Sequence, residues 1–196
     1  GLLLEGEAAF EEPGGRVLMA NHQSFLDPPT ICRVCPYPIR FIAKRSLFFF
    51  PIFGQAMWLM GMIPIDRRNR ERAFASIDRA VERVRSGFTV LVFPEGTRST
   101  TDEMLPYKKG GFVLAIRSGV PIIPVGIAGT ERIMPPGWRI RGRNVVSVVI
   151  GEPIDTSSYT METRNDLVRE VRQQIEVLRV RARERLAEAE GVSDEV

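Results

Sequence analysis

The sequence predicts an α/β fold: a single layered domain over residues 1–196, with a mixed, largely parallel sheet flanked by helices. Three observations carry this. Strand-like apolar runs alternate with helix-like stretches along the chain. Two of the runs, Phe88–Phe93 (FTVLVF) and Pro121–Ile127, are almost wholly apolar, as strands buried on both faces of a parallel sheet are. The longer stretches carry apolar stripes at helical spacing: Phe74, Ile77, Val81 and Val84, then Val168, Val171, Ile175, Leu178, Ala182 and Leu186.

The composition agrees. The chain has 196 residues, 44% hydrophobic and 26% charged, enough for one sizeable core, and it shows no internal repeat. A net charge of +3 and a pI of about 9.2 suit an anionic ligand or a membrane surface, but are too small to demand nucleic acid. The sequence opens at Gly1 without a Met or a legible signal peptide, so an upstream piece is expected to have been removed. Cys32 and Cys35 form a CxxC, but no second pair exists to complete a zinc site. Two reduced, packed cysteines of a cytosolic protein are expected.

Taken in order, residues 1–10 supply a short edge strand, and Pro13-Gly14-Gly15 turns into a buried strand at Val17-Leu18-Met19-Ala20. Asp27-Pro28-Pro29 starts a helix, with Asp27 as N-cap and proline in the first turn, where a missing N–H is harmless. Ile39–Ala43 is a strand ending at Lys44-Arg45. From Leu47 to Ile65 no residue is charged. That length reaches the threshold for a membrane span, but Pro51, Gly54, Gly61 and Pro64 interrupt it. A helix over 52–60 and a strand over 62–65 fit better. Phe53, Met57 and Trp58 then either pack in the core or, with Phe48–Phe50 beside Lys44 and Arg45, form a greasy surface touching lipid; the second is favoured. A helix over 70–86 closes at Gly87. Phe88–Phe93 ends at Pro94-Glu95-Gly96-Thr97-Arg98. A helix over 108–118, a strand over 121–127, a long loop over 129–143, a strand over 144–150 and a charged helix over 162–190 complete the chain.

The stretch Val17–Pro29 organises the rest. His22, the only histidine, sits where a strand gives way to a helix, the crevice in which open α/β sheets place ligands. Positions i and i+5 lie about 140° apart on a helix, so His22 and Asp27 meet only if Gln23-Ser24-Phe25-Leu26 turns. Asp27 then accepts from one imidazole nitrogen and leaves the other as a base. A loop histidine beside a capping aspartate satisfies the same spacing; the strand-end position favours function.

The block NHQSFLD resembles the HxxxxD block of the glycerolipid acyltransferases, the lysophospholipid acyltransferases that include the 1-acylglycerol-3-phosphate acyltransferases. Three further blocks follow in that family's order: Gly61-Met62-Ile63-Pro64-Ile65-Asp66-Arg67, Phe93-Pro94-Glu95-Gly96-Thr97-Arg98-Ser99, and Val120-Pro121-Ile122-Ile123-Pro124-Val125. The resemblance spans Val17 to about Gly126. It implies that His22 and Asp27 are catalytic, that Gly61, Asp66 and Arg67 and the run Glu95, Gly96, Thr97 and Arg98 bind the acceptor, and that Val120–Val125 shapes the pocket. Family members often carry membrane-binding segments ahead of HxxxxD; with about twenty residues before His22, that anchor is expected to be absent or reduced.

The residue chemistry points the same way. An alcohol is a poor nucleophile, and a positioned base is worth roughly 10²–10⁴ in rate. With no GxSxG elbow and no cysteine beside His22, direct attack is favoured over an acyl-enzyme. Backbone N–H groups at Glu95-Gly96-Thr97 are candidate oxyanion donors. Arg98 suits bidentate phosphate and Lys44 a point charge, although Arg98 can instead pair with Glu95. Expected is acyl transfer from acyl-CoA or acyl-carrier protein to 1-acylglycerol-3-phosphate, with no metal or prosthetic group, at the cytoplasmic face of a membrane and in peripheral contact with it. The alternatives are another acceptor (glycerol-3-phosphate, another lysophospholipid or a lyso-aminolipid) or a non-catalytic lipid- or acyl-carrier-binding module. As a cap, Asp27 is expected to tolerate Asn with little change in stability.

Overall fold

Residues 1–66, 70–135, 140–141 and 145–193 are described by the computed structural model. In chain order the elements are β1 (Leu2–Glu5), β2 (Arg16–Ala20), α1 (Asp27–Val34), β3 (Ile39–Lys44), α2 (Phe53–Leu59), β4 (Ile63–Ile65), α3 (Arg70–Arg85), β5 (Thr89–Val92), α4 (Gly110–Ser118), β6 (Ile122–Ala128), α5 (Thr130–Ile133), β7 (Val146–Ile150) and α6 (Arg164–Ser193). Short 3₁₀ turns cover Glu7–Phe10 and Arg45–Phe49. The strands form one sheet in the order β1-β7-β6-β2-β5-β3-β4. Every neighbouring pair is parallel except β6 with β7. The mixed, largely parallel sheet read from the sequence is the one observed.

β2 lies at the centre, paired with β5 through Met19↔Val92 and with β6 through Ala20↔Val125. Its side chains alternate between two cores, as period-2 geometry requires. Val17 and Met19 join Val90, Val92, Phe112, Leu114 and Ile175 on one face; Leu18 and Ala20 join Leu91, Ile123, Ile127 and Ile31 on the other. On the first face α6 lies directly against β6. A Cβ at Gly126 would stand 2.3 Å from the Leu178 carbonyl carbon, so only glycine lets helix and strand backbones approach this closely.

Several local expectations change. Asp27 is not an N-cap. Leu26 holds that position, Asp27 is the first helical residue, and its carboxylate turns back to the preceding loop. The stripe of α3 buries Ile77, Val81 and Val84 but leaves Phe74 exposed, with Ala80 filling the inner face. In α6 the buried position is Leu167 rather than Val168. The long loop after β6 begins with the four-residue helix α5, too short to show a period; residues 136–139 and 142–144 lie outside the described residues. Both cysteines are free as expected, but Cys32 is exposed and only Cys35 is packed inside.

Candidate active site

β2 ends at Ala20, and the next residue sets the path of the chain. The Asn21 side-chain amide donates to the Ile127 carbonyl (2.9 Å) and accepts from the Ile127 N–H (2.8 Å). It thus continues the β2–β6 ladder by one rung with a side chain, which frees the main chain to turn away. That turn delivers His22. Its N–H donates to Glu95 Oε1 (2.9 Å), its carbonyl accepts from the Ser99 N–H (2.8 Å), and its ring stacks on Phe93 with centroids 4.0 Å apart. The imidazole is fixed from both backbone sides and across one face.

Asp27 completes the constraint. Its side chain is 1% exposed, against 17% for His22, and its Oδ2 lies 2.8 Å from His22 Nδ1. The same oxygen accepts from the Gln23 and Ser24 N–H groups at 2.7 and 2.8 Å. Oδ1 accepts from the Thr130 hydroxyl at 2.5 Å. An ionised carboxylate only accepts, so Nδ1 carries the hydrogen and Nε2 presents a lone pair. No described residue bonds Nε2. The chain turns between His22 and Asp27 as their spacing demands.

Glu95 supports this arrangement from beneath. It is buried, and its second oxygen accepts from the Leu105 N–H (2.8 Å). Burial raises the Glu95 carboxyl above its ordinary value, and the Leu105 and His22 amides pull it partly back. The loop carrying Leu105 is held from α6: Arg172 donates to the carbonyls of Leu105 (2.8 Å) and Met104 (2.9 Å), Arg179 donates to the Asp102 carbonyl, and Arg183 pairs with the Asp102 carboxylate at 2.9 Å.

The remaining predicted residues divide. The Arg98 guanidinium lies 3.5 Å from the centroid of Phe25, inside the His22–Asp27 loop. Among the described residues no carboxylate pairs with it; Glu95, its expected partner, is engaged by two amides. Gly96, with φ 73°, donates its N–H to the Phe93 carbonyl (3.0 Å), so of the candidate oxyanion donors in that turn this one is already engaged. Thr97 is exposed. Lys44 ends β3 and Asp66 follows β4, both on the sheet edge that carries His22, since β2, β5, β3 and β4 run parallel. The shared edge does not join them to His22. Lys44 is exposed, and Asp66 faces Arg72 (3.5 Å) and Arg45 (4.0 Å). Gly61 sits at a left-handed turn (φ 70°) with its N–H on the Trp58 carbonyl. Arg67 lies outside the described residues. Sequence reasoning missed Asn21, Phe93 as a ring platform, and above all Thr130, whose only signal was its place after an apolar strand. Among the described residues no group of three or more His, Cys, Asp or Glu side chains is arranged to hold a metal ion.

The comparisons with known proteins converge on one group. The family model described as Acyltransferase matches residues 2–128. The chain is 38% identical over 155 residues to the chloroplastic 1-acyl-sn-glycerol-3-phosphate acyltransferase BAT2 of Brassica napus, covering 77% of this chain and 45% of that protein. It is 37% identical over 162 residues to the 1-acyl-sn-glycerol-3-phosphate acyltransferase of Saccharomyces cerevisiae, covering 81% and 54%. Among solved structures, the 1-acyl-sn-glycerophosphate (LPA) acyltransferase PlsC from Thermotoga maritima superposes with a TM-score of 0.75 at 30% identity, over 90% of this chain and 71% of that one. The chain spans about half the length of the curated relatives it matches.

Proposed function

The chain belongs to the acyltransferase family, and from that premise we propose that it moves a fatty acyl group from an acyl thioester, acyl-CoA or acyl-carrier protein, to the free hydroxyl of 1-acylglycerol-3-phosphate. One observation carries the reading: a buried Asp27 holds His22 Nδ1 at 2.8 Å and leaves Nε2 open. Nε2 takes the proton of the acceptor hydroxyl as its oxygen attacks the thioester carbonyl. Asp27 fixes the tautomer and stabilises the imidazolium that forms. The tetrahedral intermediate collapses by breaking the C–S bond. The leaving thiol has a pKa of about 8.5, so it departs without a strong general acid, and the proton on His22 is returned to the sulfur or to solvent. Arg98, unpaired by any described carboxylate and resting on Phe25 beside the dyad, suits the acceptor phosphate.

The relatives named above are 1-acyl-sn-glycerol-3-phosphate acyltransferases, which supports that acceptor over glycerol-3-phosphate, other lysophospholipids or lyso-aminolipids. Thiol release from acyl-CoA and from acyl-carrier protein, measured across these acceptors, tests the proposal. Fastest release with 1-acylglycerol-3-phosphate is expected. Release with none of them would leave a binding module.

A further inference from the structure

We propose that the segment from Lys44 to Met60 is a membrane-seating surface, an apolar wedge with a basic collar that places the site edge of the sheet on a bilayer containing anionic lipid. The proposal deepens the function proposed above, since the acceptor there is a membrane lipid, but its test needs no catalysis.

The segment has a small core of its own. Phe48, Met57 and Met62 are buried together, with Phe41, Ala43 and Leu47 packed around them. Gly54 ties α2 to the preceding 3₁₀ turn: a Cβ there would stand 2.2 Å from the Phe48 carbonyl oxygen, so the two backbones are in contact. The hairpin is therefore a built element, and what it shows to solvent is fixed by its fold. What it shows is apolar. Phe49 is 73% exposed, Ile52 81% and Leu59 91%, and Phe50, Phe53, Trp58 and Met60 are exposed beside them. Single exposed apolar residues are ordinary, but seven within twelve positions make a patch of the kind that marks an interaction site. Ile52 sharpens the point. It is the one non-glycine residue among those described with positive φ (63°), a strained setting for a β-branched side chain. The side chain is largely exposed, so no core packing offsets that strain.

The character of the patch selects its occupant. No residue from Leu47 to Ile65 is charged, while Lys44 and Arg45 stand exposed where β3 enters the hairpin. An apolar apex with cations at its base matches the profile of a bilayer, hydrocarbon below and anionic headgroups above. Trp58, half turned to solvent and edge-on to Phe48, is the residue type that prefers the headgroup boundary. The placement fits as well. The hairpin leaves the sheet at the end of β3, on the edge where His22 sits at the end of β2. One strand, β5, lies between them, a separation of roughly 10 Å at normal strand spacing. A membrane bound there lies at the mouth of the site. Among the described residues no helix is long and apolar enough to cross a membrane, so the contact inferred is interfacial.

Flotation of the 196-residue chain tests this, on vesicles of phosphatidylcholine alone and of phosphatidylcholine with phosphatidylglycerol, at low and high salt. The wild type is expected to float with both. Retention should rise with phosphatidylglycerol and persist largely in high salt, because insertion resists screening and charge attraction does not. The triple variant Phe49→Ser, Ile52→Asn, Leu59→Ser is expected to weaken vesicle binding at least about tenfold through the apolar area it removes, with unchanged melting. Its thiol release with a water-soluble short-chain acceptor should match the wild type, which separates loss of seating from loss of chemistry. Arg45→Gln is expected to lower only the phosphatidylglycerol-dependent part. A wild type that stays unbound at low salt with phosphatidylglycerol present overturns the proposal. So does a wild-type dimer that the triple variant converts to monomer without any change in flotation, since a second copy then covers the patch.

Discussion

Residues 21–27 and residues 45–60 leave the same edge of the sheet and are built by opposite means. The first stretch is held by polar groups out of water: Asn21 on Ile127, His22 on Glu95 and Ser99, Asp27 on four donors. The second turns apolar side chains into water, and among the described residues no side chain from Leu47 to Met60 makes a hydrogen bond. A buried polar group left without a partner is penalised heavily, so each residue of the first stretch fixes the next. An exposed apolar side chain constrains nothing around it until something covers it. The histidine loop is thus held in place by its own contacts, whereas the apolar face of residues 45–60 is left open to solvent.

Substitutions should separate the two regions. The largest expected effect is on turnover: His22→Ala should lower thiol release by roughly a hundredfold or more while the protein still folds. A folded variant with near-normal release would remove His22 from the chemistry. Arg98→Ala comes next. Losing a charge-assisted contact worth roughly 1.5–3 kcal/mol should cut kcat/KM for 1-acylglycerol-3-phosphate by about ten- to over a hundredfold. An uncharged monoacylglycerol should be a poor acceptor for both proteins and suffer little further loss; equal losses on the two would take the phosphate away from Arg98.

Thr130→Val strips Asp27 Oδ1 of its donor. Leaving that buried oxygen unpaired should destabilise the fold by about 1–3 kcal/mol and lower kcat with KM little changed, and Thr130→Ser should restore both; denaturant melts and steady-state rates of the pair decide it. Asp27→Asn, expected to be mild for a cap, should behave more like Thr130→Val, because an amide cannot replace an acceptor of four hydrogen bonds. Equal melting of Asp27→Asn and wild type would mean that the network contributes little. By contrast, Phe50→Ser and Met60→Ser in the hairpin should each shift stability by only about 0.5 kcal/mol or less.

The smallest effect concerns pH. Glu95 has a raised folded value, so the folded form holds its proton more tightly than the unfolded chain. That contribution to stability is present below the ordinary value of 4.5 and is lost as pH rises through the elevated folded value. Glu95→Gln removes the titration. The melting temperature of the wild type minus that of Glu95→Gln should therefore fall as pH rises above 4.5, and a flat or rising difference would exclude the burial effect.

The sheet was legible because its strands are apolar and its helices periodic, and both signals are local. The His22–Asp27 pair was legible because it too is local. Its second half was not: the Thr130 hydroxyl comes from 103 positions downstream, and nothing near Asp27 announces that β6 lies beside β2. Glu95 was expected to bind the acceptor, whereas it is buried against the His22 and Leu105 amides, contacts that could not be read from a turn sequence. Lys44 and Asp66 show the limit from the other side. Strand ends on one edge are predictable, whereas Asp66 turning to Arg45 and Arg72 depends on side chains that no strand pattern describes.

The arginines of α6 bear on the order in which the protein becomes competent. They reach the loop at 102–105, which seats Glu95, which in turn seats His22. During synthesis the last of these supports emerges more than 150 residues after the histidine. A nascent chain that already displays its HxxxxD block would still have a slack imidazole. The imidazole would tighten only once the stretch from Arg172 to Arg183 has emerged and docked on that loop.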